Sequence, residues 1–237
     1  MTVPAVTFHE YAAICAGIYN AAASCVAGFS RHSPLDQRLS GFQGAVYRRA
    51  TGGSFEWVVA VAGTQPTDTG GADVIADAGF GGPAPGLLHP VLAVVAAAGS
   101  ALLWHQISCA EDMVRGAQAA MGRQGRLTIT GHSLGGGISQ IVSARMGIPA
   151  VAISAPAVTA VPTVRSSWER TRSPITCLKV RNDPINATGV VGNLLGRVVP
   201  LDSPRTGGAA HSIDQTLAEL APSGPFSGLG ARDPFAA

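Results

Sequence analysis

Residues 127–137 read Leu-Thr-Ile-Thr-Gly-His-Ser-Leu-Gly-Gly-Gly, a β-branched run that ends in Gly131-His132-Ser133-Leu134-Gly135 and passes at once into a helical pattern. A serine set between glycines at a strand-to-helix turn is the pattern of a nucleophile elbow. The turn is so sharp that a Cβ two residues before or after the serine would clash, and it projects the hydroxyl into open space. It also aims the N–H of Leu134, at the helix start, toward an oxyanion on an attacked carbonyl. The chemistry would be acyl transfer through a covalent acyl-serine. A phosphate cradle is excluded, because no lysine follows the glycines.

Serine is a poor nucleophile at its free pKa, so it needs a base, and the base needs an orienting carboxylate. His211 is the one histidine downstream of Ser133 and is read as that base. It follows the loop 203–208 and precedes a helical pattern. The acids between Ser133 and His211 are Glu169, Asp183 and Asp202. Asp183 is the best placed, because it follows the strand pattern Ile175-Thr176-Cys177-Leu178-Lys179-Val180 and Pro184 ends the ladder directly after it. Asp202 is the runner-up. Glu169, among Arg165, Arg170 and Arg172, reads as a solvated ion pair. A second oxyanion donor is expected at Gly63-Thr64, where Thr64 carries both an N–H and a hydroxyl.

These groups need a scaffold, and the pattern along the chain supplies one. An Ala-rich segment with apolar residues at helical spacing, residues 7–28, predicts a helix that carries no visible chemistry. Residues 45–49 and 55–62, separated by Thr51-Gly52-Gly53-Ser54, predict an antiparallel hairpin. Residues 63–90 are dense in Gly and Pro and predict a long irregular loop, followed by helices at 91–98 and 106–121. From there strand 126–130, helix 135–146, strand 149–154, an irregular segment, strands 175–181 and 197–201 and a helix at 212–220 alternate. Such alternation predicts an α/β fold with a mostly parallel central sheet flanked by helices. The length suits one domain, read as residues 1–220, with 221–237 as a flexible Gly/Pro/Ser-rich tail.

With 46% hydrophobic and 13% charged residues, the chain has little charge to cover its outside, so some apolar surface is expected. The 16 basic and 14 acidic residues are scattered, which leaves no footprint for nucleic acid. Cys15, Cys25, Cys109 and Cys177 lack zinc spacing and read as free, buried thiols. No metal or cofactor is called for. The apolar stretch 90–104 is shorter than the roughly 20 residues that span a bilayer and reads as a buried or lipid-facing helix. His9 and Glu10 stand where a secretory leader would be apolar, so no cleaved signal is read; a cytoplasmic protein, or one exported by a signal-independent route, is expected.

Taken together these residues resemble the class 3, fungal-type lipases of the α/β-hydrolase superfamily over about residues 55–217. The matching features are Val61-Ala62-Gly63-Thr64 at a strand end, the spaced Asp73 and Asp77, and His89 before the next helix. Gly131-His132-Ser133-Leu134-Gly135-Gly136, Asn182-Asp183-Pro184 and His211-Ser212-Ile213-Asp214 follow in order. Two positions depart from the family pattern, Ala62 where an arginine is common and Val74 where an aromatic is common. The resemblance favours Asp183 over Asp202. It implies an α/β-hydrolase fold, hydrolysis of acylglycerol or phospholipid esters, transient contact with a lipid surface, and a lid at residues 65–88. An acyltransferase on the same machinery, a delivered phospholipase toxin and a non-catalytic lipid-binding module are the alternatives.

Overall fold

In the computed structural model the described residues are 6–38, 41–63, 101–123, 125–186 and 192–236. The architecture is the expected mixed α/β one, a mostly parallel central sheet with helices on both faces. In chain order the elements are α1 (Phe8–Gly17), β1 (Cys25–Val26), β2 (Phe29–Arg31), β3 (Asp36–Gln37), β4 (Gln43–Thr51) and β5 (Ser54–Val61). Next come α2 (Ala101–Met121), β6 (Arg126–His132), α3 (Leu134–Met146), β7 (Ala150–Ile153), α4 (Val164–Thr171), β8 (Ile175–Val180) and a 3-10 turn (Pro184–Asn186). The chain finishes with β9 (Arg197–Leu201), α5 (Gly207–His211), α6 (Ile213–Leu220) and α7 (Ser227–Gly230).

The sheet runs β1-β2-β4-β5-β6-β7-β8-β9, with β3 also paired to β4. The hairpin of β4 and β5 closes on Gly52 and Gly53, whose φ values of 54° and 90° meet the demand of a two-residue turn for left-handed backbone. From β5 onward all pairs are parallel and the spatial order follows the chain order. Right-handed crossovers that step one way across a sheet stack their helices on one face. Accordingly α2, α3 and α4 share a core with Trp57, Val59, Leu127, Ile129 and Ala152. The opposite face buries Val58, Ala60, Val151 and Ile153 against α1 and the C-terminal helices.

β6 departs most from the apolar rule on that second face. β6 presents Thr128, Thr130 and His132, and α1 answers with polar groups. Tyr11 donates to Thr128 Oγ1 at 3.0 Å, Cys15 Sγ lies 3.4 Å from Thr130 Oγ1, and the Tyr19 hydroxyl lies 3.3 Å from His132 Nδ1. Steps of four residues on a helix advance about 6 Å and steps of two on a strand about 6.6 Å. The two spacings therefore stay in register, and α1 lies along the strand that carries the serine.

Four expectations need correction. The helix expected over 7–28 stops at Gly17, where a Cβ would stand 2.6 Å from Val26 Cγ2; residues 25–31 instead form a hairpin turned on Ala27 and Gly28, both at positive φ. The irregular segment before β8 contains α4, a short, mostly polar helix in which Val164 and Ser167 are buried, so it offers little periodicity to read. The expected frayed tail is packed: Phe235 meets the Tyr11 ring edge-on, and Thr176 donates to the Pro234 carbonyl at 2.8 Å. Of the thiols, all four free, Cys15 and Cys177 are buried and burial pushes both up to about 12, but Cys25 is exposed and Cys109 half-buried. The lid expected at 65–88 and the helix at 91–98 lie outside the described residues. No helix among the described residues is long and apolar enough to cross a membrane.

Candidate active site

Ser133 sits between β6 and α3 with φ 58° and ψ −129°, a backbone conformation that side chains seldom adopt. Its N–H donates to the Ile153 carbonyl at 3.1 Å, so the neighbouring strand holds the turn in place. The glycines around it answer to close backbone approach. A Cβ on Gly131 would lie 2.3 Å from the Gly135 carbonyl carbon, and one on Gly135 would lie 2.1 Å from the Val61 carbonyl oxygen. The elbow is thus wedged against both itself and the end of β5.

His211 closes α5, and Ser212 behind it caps α6 by accepting the Gln215 N–H. Asp183 stands on the turn after β8, following Asn182 at φ 60°. The Asn182 amide donates to the Arg205 carbonyl at 3.3 Å, which ties the aspartate turn to the loop before His211. Residues 28 and 78 positions apart in sequence so meet beyond the C-terminal ends of the parallel strands.

The structure brings Ser133, His211 and Asp183 together. His211 Nε2 is 2.9 Å from Ser133 Oγ, and His211 Nδ1 is 3.1 Å from both carboxylate oxygens of Asp183. The Asp183 side chain is fully buried, and its Oδ1 also accepts the Ile185 N–H at 2.9 Å. A carboxylate can only accept, so Nδ1 carries the ring proton and the Nε2 lone pair faces the hydroxyl. Such an arrangement can take the proton of Ser133 as the oxygen attacks a carbonyl, with the carboxylate beside the imidazolium that forms.

The other acids lie elsewhere. Asp202 is exposed and pairs with Arg181 at 3.5 Å, and Glu169 pairs on the surface with Arg165 at 3.1 Å. Leu134 opens α3, so its N–H is among those at a helix start without an intrahelical partner, at the positive end of the helix dipole. Thr64 lies outside the described residues. Its neighbour Gly63 is described, and a Cβ there would stand 2.8 Å from both the His132 carbonyl and Ser133 Cβ. Close approach to the elbow accounts for this glycine.

Two residues beside the site were missed in the sequence. His132 is buried, with its ring centroid 4.7 Å from that of His211, and its Nε2 lies 2.7 Å from the His211 carbonyl. Burial, with the neighbouring His211 second, lowers its pKa to about 3. Tyr19, just past α1, accepts the Gly63 N–H at 2.8 Å. The segment read as carrying no visible chemistry therefore reaches the site. A signal existed: Tyr11, Cys15 and Tyr19 recur at spacing four, opposite Thr128, Thr130 and His132 at spacing two.

No family model and no curated protein matches the sequence. Solved structures do match the fold. The Lip2 lipase from Yarrowia lipolytica superposes with a TM-score of 0.50 at 12% identity, over 86% of this chain and 82% of that one. A triacylglycerol lipase from Penicillium expansum gives a TM-score of 0.49 at 12% identity, over 81% and 76%. At such identity the likeness is one of fold.

Proposed function

We propose that this chain is a serine esterase that hydrolyses carboxylic ester bonds of lipids. Ser133 Oγ attacks the ester carbonyl while His211 Nε2 takes its proton, and Asp183 holds the imidazole by its Nδ1–H. The oxyanion is received by the Leu134 N–H and by Thr64. The imidazolium then returns the proton to the departing alcohol, leaving an acyl-serine. Water, deprotonated by His211 in turn, attacks the acyl carbon, and the carboxylic acid leaves as Ser133 regains its proton.

The observation that carries this reading is the pair of contacts through one buried imidazole, 2.9 Å to Ser133 and 3.1 Å to Asp183, on an elbow whose glycines tolerate no Cβ. The lipid part rests on less: a solved structure of similar fold is a lipase, the sequence motifs resemble class 3 lipases, and the chain is unusually apolar. The test is hydrolysis of p-nitrophenyl esters of rising chain length, and of an acylglycerol and a phospholipid, by wild type and Ser133→Ala. The expected outcome is preference for long acyl chains and a loss of turnover in the variant of about 10⁴-fold or more. Equal activity in the variant would remove Ser133 from the chemistry, and activity confined to short soluble esters would remove the lipid.

A further inference from the structure

The polar contacts around Ser133 continue past the three residues that do the proposed chemistry. The Gly63 N–H donates to the Tyr19 hydroxyl at 2.8 Å; that hydroxyl lies 3.3 Å from His132 Nδ1; His132 Nε2 lies 2.7 Å from the carbonyl of His211, whose own Nε2 meets Ser133. The proton positions follow from what each group can do. A backbone N–H only donates and a carbonyl only accepts. Burial keeps the Tyr19 phenol protonated, well above the usual tyrosine range. The phenol therefore accepts from Gly63 and gives its own proton to Nδ1, which leaves the His132 proton on Nε2, where the carbonyl needs it. Every donor meets an acceptor, and the chain runs from the end of β5 to the backbone of His211.

We propose that Tyr19 and His132 are positioning residues, which hold the backbone of His211 and the turn at Gly63 in fixed places on either side of Ser133. The inference rests on the proposed function. Neither residue reaches the reacting atoms; each acts through another. His132 sets where the base stands by gripping its carbonyl. Tyr19 fixes the His132 tautomer and, by the same oxygen, holds the strand end that leads into the expected oxyanion donor Thr64. A shift of about 1 Å in either is enough to cost a transition state much of its alignment. A substrate bound at the elbow would be affected far less, so the effect belongs to kcat.

The ladder between α1 and β6 supplies its own control. Tyr11 makes the same kind of buried hydroxyl contact, to Thr128, two four-residue steps further from the elbow. Tyr11→Phe and Tyr19→Phe each remove one oxygen from the same interface, and only the second touches His132 and Gly63.

The experiment measures kcat and KM on a p-nitrophenyl ester, the rate at which a fluorophosphonate probe labels Ser133, and the thermal midpoint, in wild type and four variants. Tyr19→Phe is expected to lower kcat and the labelling rate about tenfold with KM nearly unchanged, the effect of leaving the Gly63 N–H and His132 Nδ1 without their shared partner. Tyr11→Phe is expected to lower the midpoint while labelling at the wild-type rate. His132→Gln, which keeps an N–H donor near the Nε2 position, should retain more of the rate than His132→Leu. Labelling of Tyr19→Phe at the wild-type rate, or parallel losses in both tyrosine variants, overturns the positioning role while leaving the proposed function intact. A wild type that the probe does not label overturns the proposed function, and the inference with it.

Discussion

At the scale of single residues, the unusual feature is a second imidazole, His132, packed beside His211 and kept neutral. An unfolded histidine takes up its proton near pH 6.5, whereas burial, and after it the nearby His211, delays this one to about pH 3. Between those values the unfolded chain binds more protons than the folded one. Stability therefore falls as pH falls across this window, by about 1.4 kcal/mol per pH unit from this group, and levels off below it. Urea unfolding midpoints measured at several pH values should show this slope in wild type and a shallower one in His132→Gln. Equal slopes would mean that His132 titrates normally. Ser133 and His211, which the structure brings within 2.9 Å, stood out in the sequence because the proposed chemistry demands such a pair and few candidates exist. His132 did not, since its role depends on Tyr19, which lies 113 residues earlier and only folding brings near.

At the scale of elements, α3 and β5 depend on the elbow glycines as much as the serine does. Gly135→Ala would drive a Cβ into the Val61 carbonyl, backbone against backbone with no flexible side chain to yield. A loss of more than about 3 kcal/mol, or failure to fold, is expected from overpacking of this kind. Gly208 in α5 offers the contrast, because a Cβ there meets nothing within 4 Å. Gly208→Ala should raise stability by about 0.5–1 kcal/mol, read as a higher thermal midpoint. The hairpin of β4 and β5 could be read from its Gly-Gly turn, and the alternation from β6 to β9 from its periodicity. The end of α1 could not, because Ala-rich sequence favours helix beyond Gly17, and the hairpin that follows is set by Val26 packing on Gly17 and by the pairing of β2 with β4. Nor could α4, which has too few buried positions for a period to show.

At the scale of the whole molecule, the two faces of the sheet are covered by different parts of the chain. One face is covered by crossover helices that any parallel sheet requires. The other is covered by α1 together with the last segment, which grips the body through Phe235, the Thr176 contact to Pro234, and Arg197 donating to the carbonyls of Pro234 and Ala236. Its Gly/Pro/Ser composition looked like a tail because composition does not show tertiary anchoring. Deleting residues 232–237 should lower stability by about 2–4 kcal/mol, the sum expected for one aromatic contact and a few hydrogen bonds. A deletion that left the thermal midpoint unchanged would mean the segment is not held in solution.

The spatial order of the parallel strands repeats their order in the chain, and the imidazole beside Ser133 arrives 78 residues after it. A ribosome adding about 5–20 residues per second makes the serine roughly 4–16 s before the histidine. If His211 is the base of the proposed reaction, the nascent polypeptide holds throughout that interval a hydroxyl with no partner to take its proton, and it is then inert toward esters. Chains stalled short of residue 211 are expected to ignore a fluorophosphonate probe that labels the finished protein.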